Sequence, residues 1–360
     1  MGKIDCRACL VEELTDICLK NNIKKFRAKQ IFGWVQQKGS QNWEEIRNIS
    51  KEDKEILKQS LYIQAAGLVR EQRSKDGTRK FLFSLADGER IETVLMDYEK
   101  DVSRDRQTLC VSTQVGCPVG CSFCATGMEG YKRNLSAGEI TGQVLDVMRY
   151  LQKEDESFKI TNVVFMGMGE PFLNYDAVLK AVTILNCEDG QNIGMRRMTI
   201  STSGVVPRII QLAKDNPQVG LAISLHSAKD EIRDILIPMN KRYPLAKLLA
   251  ACNAYSALTK RRVTFEVVLN SANAERSEAQ ELAKLLGGMM AHVNLIPVNP
   301  VAGSGVSRPP KGKIQMFKNI LEEAKIQVSI REEKGLDIDA ACGQLRQRLE
   351  SEEYESVDQS

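Results

Sequence analysis

From Gln107 onward, short β-rich runs alternate with longer helical stretches, and this alternation constrains the fold more than any other feature of the chain. Strand candidates fall at residues 109–113, 162–166, 198–201, 221–225, 263–269, 293–297 and 327–331. Helical periodicity marks 137–151, 175–185, 246–258, 275–286 and 314–324 between them. Repeated strand-then-helix units imply a parallel sheet with right-handed crossovers. The expected fold is α/β: a partial, partly open (β/α)6 barrel over residues 107–345. Binding residues in such a sheet gather where loops leave the carboxyl ends of the strands.

Two regions of different character precede the barrel. Residues 1–62 read as an N-terminal helical domain, with apolar side chains at helical spacing over 10–21 and again over 28–37 through Ile31, Trp34 and Val35. Ser50, three residues ahead of Asp53, reads as a helix cap. Residues 63–106 read as a small antiparallel β extension, with turns at Asp76-Gly77 and Asp87-Gly88. The final stretch, 346–360, carries Glu350, Glu352, Glu353, Glu355 and Asp358 and reads as an acidic, disordered tail.

Composition narrows the class. With 42% hydrophobic and 27% charged residues among 360, the chain can bury a core. No apolar run reaches the roughly 18 residues of a membrane span. The opening Met1-Gly2-Lys3-Ile4-Asp5-Cys6 has no apolar leader, so a cytoplasmic enzyme is expected. Lys plus Arg number 50 against 47 acids, so any affinity for nucleic acid must be local. The candidates are Lys24-Lys25-Phe26-Arg27-Ala28-Lys29 and Lys132-Arg133-Asn134, with Trp34 and Trp43 as shape readers. The two histidines, His226 and His292, argue against His-rich metal sites and Ser-His-Asp chemistry.

Ten cysteines are too few for a disulfide scaffold of this length, and clustered ones point to metal or catalysis. Three of them fall within eight residues, in Cys117-Pro118-Val119-Gly120-Cys121-Ser122-Phe123-Cys124. Zinc usually takes two Cys pairs, or Cys with His, and no second pair lies nearby. A [4Fe–4S] cluster held by three cysteines would keep one iron open to a small molecule. Gly167-Met168-Gly169-Glu170-Pro171, Ser201-Thr202-Ser203-Gly204, Ser224-Leu225-His226 and Asn299 each follow or end a strand candidate. Together they place four polar segments along one sheet edge, and Glu170 could hold an ammonium group. Cys110 and Cys342 lie in polar or motif-like settings, whereas Cys6, Cys9, Cys18, Cys187 and Cys252 read as packing thiols.

The cysteine spacing resembles the signature of the radical S-adenosylmethionine (SAM) superfamily. From Phe26-Arg27-Ala28-Lys29-Gln30 to Ala341-Cys342-Gly343-Gln344-Leu345, the chain is similar to the RlmN branch of the RlmN/Cfr family of radical-SAM RNA methyltransferases. The resemblance implies one [4Fe–4S] cluster per chain on Cys117, Cys121 and Cys124. It implies two SAM molecules per turnover, with SAM contacts at Gly169, Glu170, Ser201, Ser224, Leu225, His226 and Asn299. It further implies methylation at C2 of an adenine in 23S rRNA, at the peptidyl-transferase centre, and of an adenine beside the anticodon of tRNA. Cys342 would carry the methyl group, form a transient link to RNA and be released by Cys110 through a disulfide. Glu92 would take the C2 proton, although its alternation with Ile91 leaves a solvent-facing position equally open. An electron donor such as flavodoxin or ferredoxin, no membrane and a monomeric enzyme complete the expectation. The competing readings are a C8-directed Cfr-type methyltransferase, another radical-SAM enzyme such as an activase or peptide-modifying enzyme, and a non-catalytic metal-containing RNA-binding protein.

Overall fold

The computed structural model describes residues 2–98, 106–298, 307–331, 334–340 and 343–345. Asn299, Cys342 and the acidic tail 346–360 lie outside the described residues. Among the described residues, ten strands form one sheet whose spatial order is the order of the chain. They are β1 (Gly67–Arg73), β2 (Arg79–Ser84), β3 (Arg90–Tyr98), β4 (Arg106–Cys110) and β5 (Asn162–Phe165). The sheet continues with β6 (Met198–Thr202), β7 (Gly220–Ser224), β8 (Val263–Leu269), β9 (Ala291–Pro297) and β10 (Gln327–Ile330).

Strands β4 to β10 pair in parallel, so six β/α units end on a seventh parallel strand. Strands β1 to β3 extend the same sheet antiparallel, with β3 paired to β4 from Val94↔Cys110 to Tyr98↔Arg106. Gly77 and Gly88 take φ of 84° in the two connecting turns, which suits residues without a Cβ.

All seven strands expected in the barrel are present; Val263–Leu269 keeps its expected bounds, five others move by one or two residues at an end, and the first moves further. The first spans Arg106–Cys110 rather than 109–113. Val111 still bonds to the β5 side, its N–H to the Val164 carbonyl at 2.9 Å, and the ladder ends at Ser112, which is held by a side chain and a neighbouring carbonyl. Its N–H donates to Gln143 Oε1 (2.8 Å) and its hydroxyl to the Glu92 carbonyl (2.6 Å). Helices Val206–Asp215 and Asp230–Leu236 were not legible from periodicity. The first carries Pro207 in its opening turn, a position that needs no backbone donor.

The head consists of helices Val11–Lys20, Phe26–Gln36 and Lys51–Leu57 around Leu14, Ile31, Phe32, Val35 and Trp43. Ser50 Oγ accepts from the Asp53 N–H at 3.1 Å, as the capping pattern predicts. Cys6, Cys9 and Cys18 are buried in this core, and Cys252 in the barrel core. The head is locked to the barrel by Arg7, whose two Nη atoms donate to Asp146 on helix Ala137–Leu151 at 2.7 and 2.8 Å. Thr141 Oγ1 (2.9 Å) and Gln36 Nε2 (3.0 Å) donate to the Arg7 carbonyl from either side of the seam.

Candidate active site

The three clustered cysteines sit on a loop that only glycine allows to start. Gly116 has φ 72°, and a Cβ there would lie 1.9 Å from the Gly130 carbonyl oxygen. That close approach lets the Cys117 N–H donate to the same carbonyl at 2.8 Å. Further along, the Ser122 N–H donates to Leu236 O at 3.2 Å, tying the loop to helix Asp230–Leu236. Cys117, Cys121 and Cys124 then line one cavity of about 580 Å³, within the usual range for small-molecule sites.

The opposite wall comes from the carboxyl ends of the strands, as expected of this topology. Gly169, Glu170, Ser201, Ser224 and His226 all line the cavity; Leu225 is buried and does not. Gly169 (φ 104°) packs where a Cβ would lie 2.6 Å from the Gln114 side chain. Glu170 is fully enclosed, so burial pushes its carboxyl pKa up, against hydrogen bonds from the Ser203 and Phe172 backbones and the Ser203 hydroxyl. His226 has φ 60° and accepts from the Val268 N–H through Nδ1 at 3.2 Å, which leaves Nε2 to carry the proton. Its ring packs edge-on against Phe123 at 4.7 Å. Burial, with a smaller push from Arg233, lowers its pKa to about 3, so the imidazole is neutral at physiological pH.

A second polar group lies on the same inner face of the sheet. The register pairs Lys80 with Val94, Val94 with Cys110, and Leu82 with Glu92. Side chains alternate between faces, so Lys80, Glu92 and Cys110 share one face. Glu92 does not face solvent: its Oε1 lies 3.0 Å from Lys80 Nζ, with the two side chains 4% and 3% exposed. Lys80 Nζ also donates to the Asp339 carbonyl at 3.3 Å. Asp337 accepts from Ser74 Oγ (2.5 Å) and Lys75 N (3.2 Å), so the chain leading toward Cys342 is fastened to the β1–β2 turn. On the far side, Gly343 O accepts from Ala125 N at 2.8 Å, one residue after Cys124, and Gly343 lines the cavity. The anchored flanks of Cys342 thus lead from Glu92 on one side to the cysteine loop on the other.

Residues 111–283 match the model of the Radical SAM superfamily, and residues 9–63 match that of the ribosomal RNA large subunit methyltransferase N-terminal domain. A probable dual-specificity RNA methyltransferase RlmN from Desulfitobacterium hafniense is 60% identical over 98% of this chain and 99% of its own length. The chain belongs to the RlmN family. A relative of the same description from Heliobacterium modesticaldum is 45% identical over 97% of the chain and 91% of its own length. The crystal structure of a radical SAM methyltransferase from Sphaerobacter thermophilus, 45% identical, superposes with a TM-score of 0.89 and covers 94% of this chain and 98% of that one.

As a radical SAM protein of the RlmN family, the chain uses a [4Fe–4S] cluster and SAM. The donor set fits that group. The three thiols face one cavity, yet among the described residues no three His, Cys, Asp or Glu side chains close on a single metal ion. Soft thiolates spread around a cavity suit a cluster better than one zinc ion.

Sequence reasoning missed a polar ladder across the inner face of β8 to β10. Asn294 Nδ2 donates to Glu266 Oε2 (2.9 Å), Ser329 Oγ donates to Asn294 Oδ1 (2.9 Å), and Glu266 and Arg331 line the cavity. The missing signal was period-2 polarity: Thr264 and Glu266 alternate with Val263, Phe265 and Val267 in a strand whose other neighbours are apolar. Several of the candidate RNA cations are held in surface pairs. Lys29 meets Asp189 (3.0 Å), Lys132 meets Glu89 (2.9 Å), and Arg133 meets Asp87 (2.6 Å) and Glu139 (2.8 Å).

Proposed function

We propose that the chain is a radical-SAM methyltransferase that places a methyl group on C2 of an adenine in 23S rRNA and of an adenine beside the anticodon of tRNA. It works in the cytoplasm as a monomer, with reduced flavodoxin or ferredoxin as electron source. The near-full-length 60% identity to a probable dual-specificity RNA methyltransferase carries this reading. Among the described residues no helix is long and apolar enough to cross a membrane, which agrees with a cytoplasmic substrate.

Adenine C2 is electron-poor and bears a non-acidic hydrogen, so it is no nucleophile for an ordinary methyl transfer. A [4Fe–4S] cluster, which Cys117, Cys121 and Cys124 would hold, would supply together with SAM the one-electron chemistry that an ionic route lacks. Around it, Glu170 binds the SAM ammonium, while Gly169, Ser201, Ser224, His226 and Asn299 complete the SAM contacts. The neutral His226 offers Nε2–H as a donor. Cys342 accepts a methyl group as a thiolate nucleophile and carries it to the base. Glu92 takes the proton from C2. Cys110 then attacks the Cys342 sulfur and releases the methylated RNA, and reduction of that disulfide resets the pair.

The base must leave its stack to reach this cavity, at a cost of about a few kcal/mol. Exposed ion pairs contribute only about 0–1 kcal/mol each, so RNA phosphates can displace the partners of Lys29, Lys132 and Arg133. Nucleoside mass spectrometry of RNA from a deletion strain tests the reading. We expect loss of 2-methyladenosine from 23S rRNA and tRNA, restored by this chain and not by its Cys342→Ala variant. Unchanged 2-methyladenosine, or loss of 8-methyladenosine instead, would refute it.

A further inference from the structure

We infer that Lys80 is a positioning residue for proton removal: it keeps the Glu92 carboxylate ionised and ties it to the chain segment that leads into Cys342. The inference rests on the reading of Glu92 as the base. In that step the C2–H bond breaks, its electron pair stays in the purine ring, and the proton passes to a Glu92 oxygen. A carboxylate can do this only while ionised.

Burial works against ionisation. Glu92 is buried on the inner face of the sheet, where Leu82, Val94 and Met96 beside it are buried and apolar. Desolvation there favours the neutral acid, and an adjacent cation reverses that preference. Lys80 is that cation, at 3.0 Å and equally buried. Among the described residues, the other charged or titratable side chains on this face and the elements beside it include Arg70 on β1, Arg90 on β3, Cys110 on β4, Asp339 on the loop, and Arg331 beyond β10, which reaches Met96 Sδ at 4.0 Å. Stability alone does not account for the pair, because a buried ion pair is often no better than an apolar one of the same volume.

The second contact gives Lys80 its positional role. An ammonium has three donors, and Lys80 spends one on Glu92 and one on the Asp339 carbonyl, three residues before Cys342. The base and the methyl carrier are therefore indexed to one nitrogen. The same stretch is fixed from the β1–β2 turn, where Asp76 Oδ2 accepts from the Gly335 N–H at 2.8 Å.

The test uses single-turnover reactions of the holoenzyme, loaded with methyl on Cys342, on RNA carrying hydrogen or deuterium at adenine C2. Wild type, Lys80→Met, Lys80→Arg and Glu92→Gln are compared across pH, with intact mass reporting methyl loading. For Lys80→Met we expect product formation near neutral pH to fall by about tenfold or more, and the acid limb to move up by about one to two pH units. Raising the pH should recover part of the rate, the isotope effect should grow, and Lys80→Arg should restore most of the activity. If Lys80→Met does not fold, Lys80→Gln, which keeps a donor for the Asp339 carbonyl, carries the same test. A uniform loss at every pH with an unchanged isotope effect would overturn the inference. Should Glu92→Gln retain wild-type rate and isotope effect, the base assignment fails and this inference with it. If Glu92→Gln blocks loss of the C2 hydrogen while the Lys80 variants leave the acid limb in place, only the role of Lys80 is lost.

Discussion

Ser203 brings two donors to one oxygen of Glu170: its backbone N–H and its hydroxyl each lie 2.7 Å from Oε2. The two residues leave adjacent strands, β5 and β6, and the Phe172 N–H holds Oε1 at 3.0 Å. Three donors fix the carboxylate plane, and the cavity wall is built around it.

Glu170→Gln should weaken SAM binding by about tenfold to a hundredfold, as expected for one charge-assisted hydrogen bond of roughly 1.5–3 kcal/mol. It replaces an acceptor oxygen with an NH₂ group facing either Ser203 or Phe172, so one backbone donor also loses its partner. Calorimetric titration of the reconstituted protein with SAM measures the effect. Binding equal to wild type would remove Glu170 from the SAM site.

Much of this arrangement is legible in the sequence. The barrel strands announced themselves because buried parallel strands are apolar runs bounded by turns, and Gly169, Glu170, Ser201, Ser224 and His226 fell at their ends. Glu92 was not legible as a buried acid. Its burial depends on Lys80, which lies on the preceding strand and is paired to Val94 rather than to Glu92 in the ladder. Arg233 was silent for the same reason: nothing in a short, charged helix shows that one of its arginines points inward. Long-range polar partners leave no periodic trace along a chain.

The seam between head and barrel should be sensitive to its buried ion pair. Arg7→Met leaves Asp146 enclosed, with the Ala66 N–H at 3.2 Å as its remaining donor outside the helix. Removing one partner of a buried pair costs about 3–5 kcal/mol. The double variant Arg7→Met/Asp146→Leu should regain a large part of that loss, because no bare charge remains. Urea unfolding of the three proteins measures both differences, and additivity of the single changes would argue against coupling.

His226 makes the protein less stable as the pH falls. Its folded pKa of about 3 lies below the ordinary value of 6.5, so between those limits the unfolded chain binds a proton that the native state refuses. Stability contributed by this residue is complete above pH 6.5 and is lost progressively toward pH 3, at up to about 1.4 kcal/mol per pH unit. His226→Asn keeps a residue tolerant of the left-handed backbone and has no such titration. Between pH 7 and pH 5 the wild type should lose about 1–2 kcal/mol more than the variant in urea unfolding. Parallel losses would show that the imidazole is not held neutral.

Arg233 fastens the strand ends that carry the SAM contacts. It is wholly buried and donates to the carbonyls of Ser203 (2.6 Å), Ser224 (3.1 Å) and Leu225 (3.2 Å) and to Asn240 Oδ1 (2.5 Å). Burial lowers its pKa to about 10, so the guanidinium remains charged at physiological pH. Arg233→Lys preserves that charge but replaces a planar fork with a single ammonium, which cannot span acceptors on three loops. At least one buried carbonyl then lacks a donor, at about 1–3 kcal/mol each. Thermal unfolding should show that loss, and SAM affinity should fall with it, because Ser203 and Ser224 no longer share an anchor. Loss of stability with unchanged SAM affinity would mean that Arg233 supports the fold without setting the site.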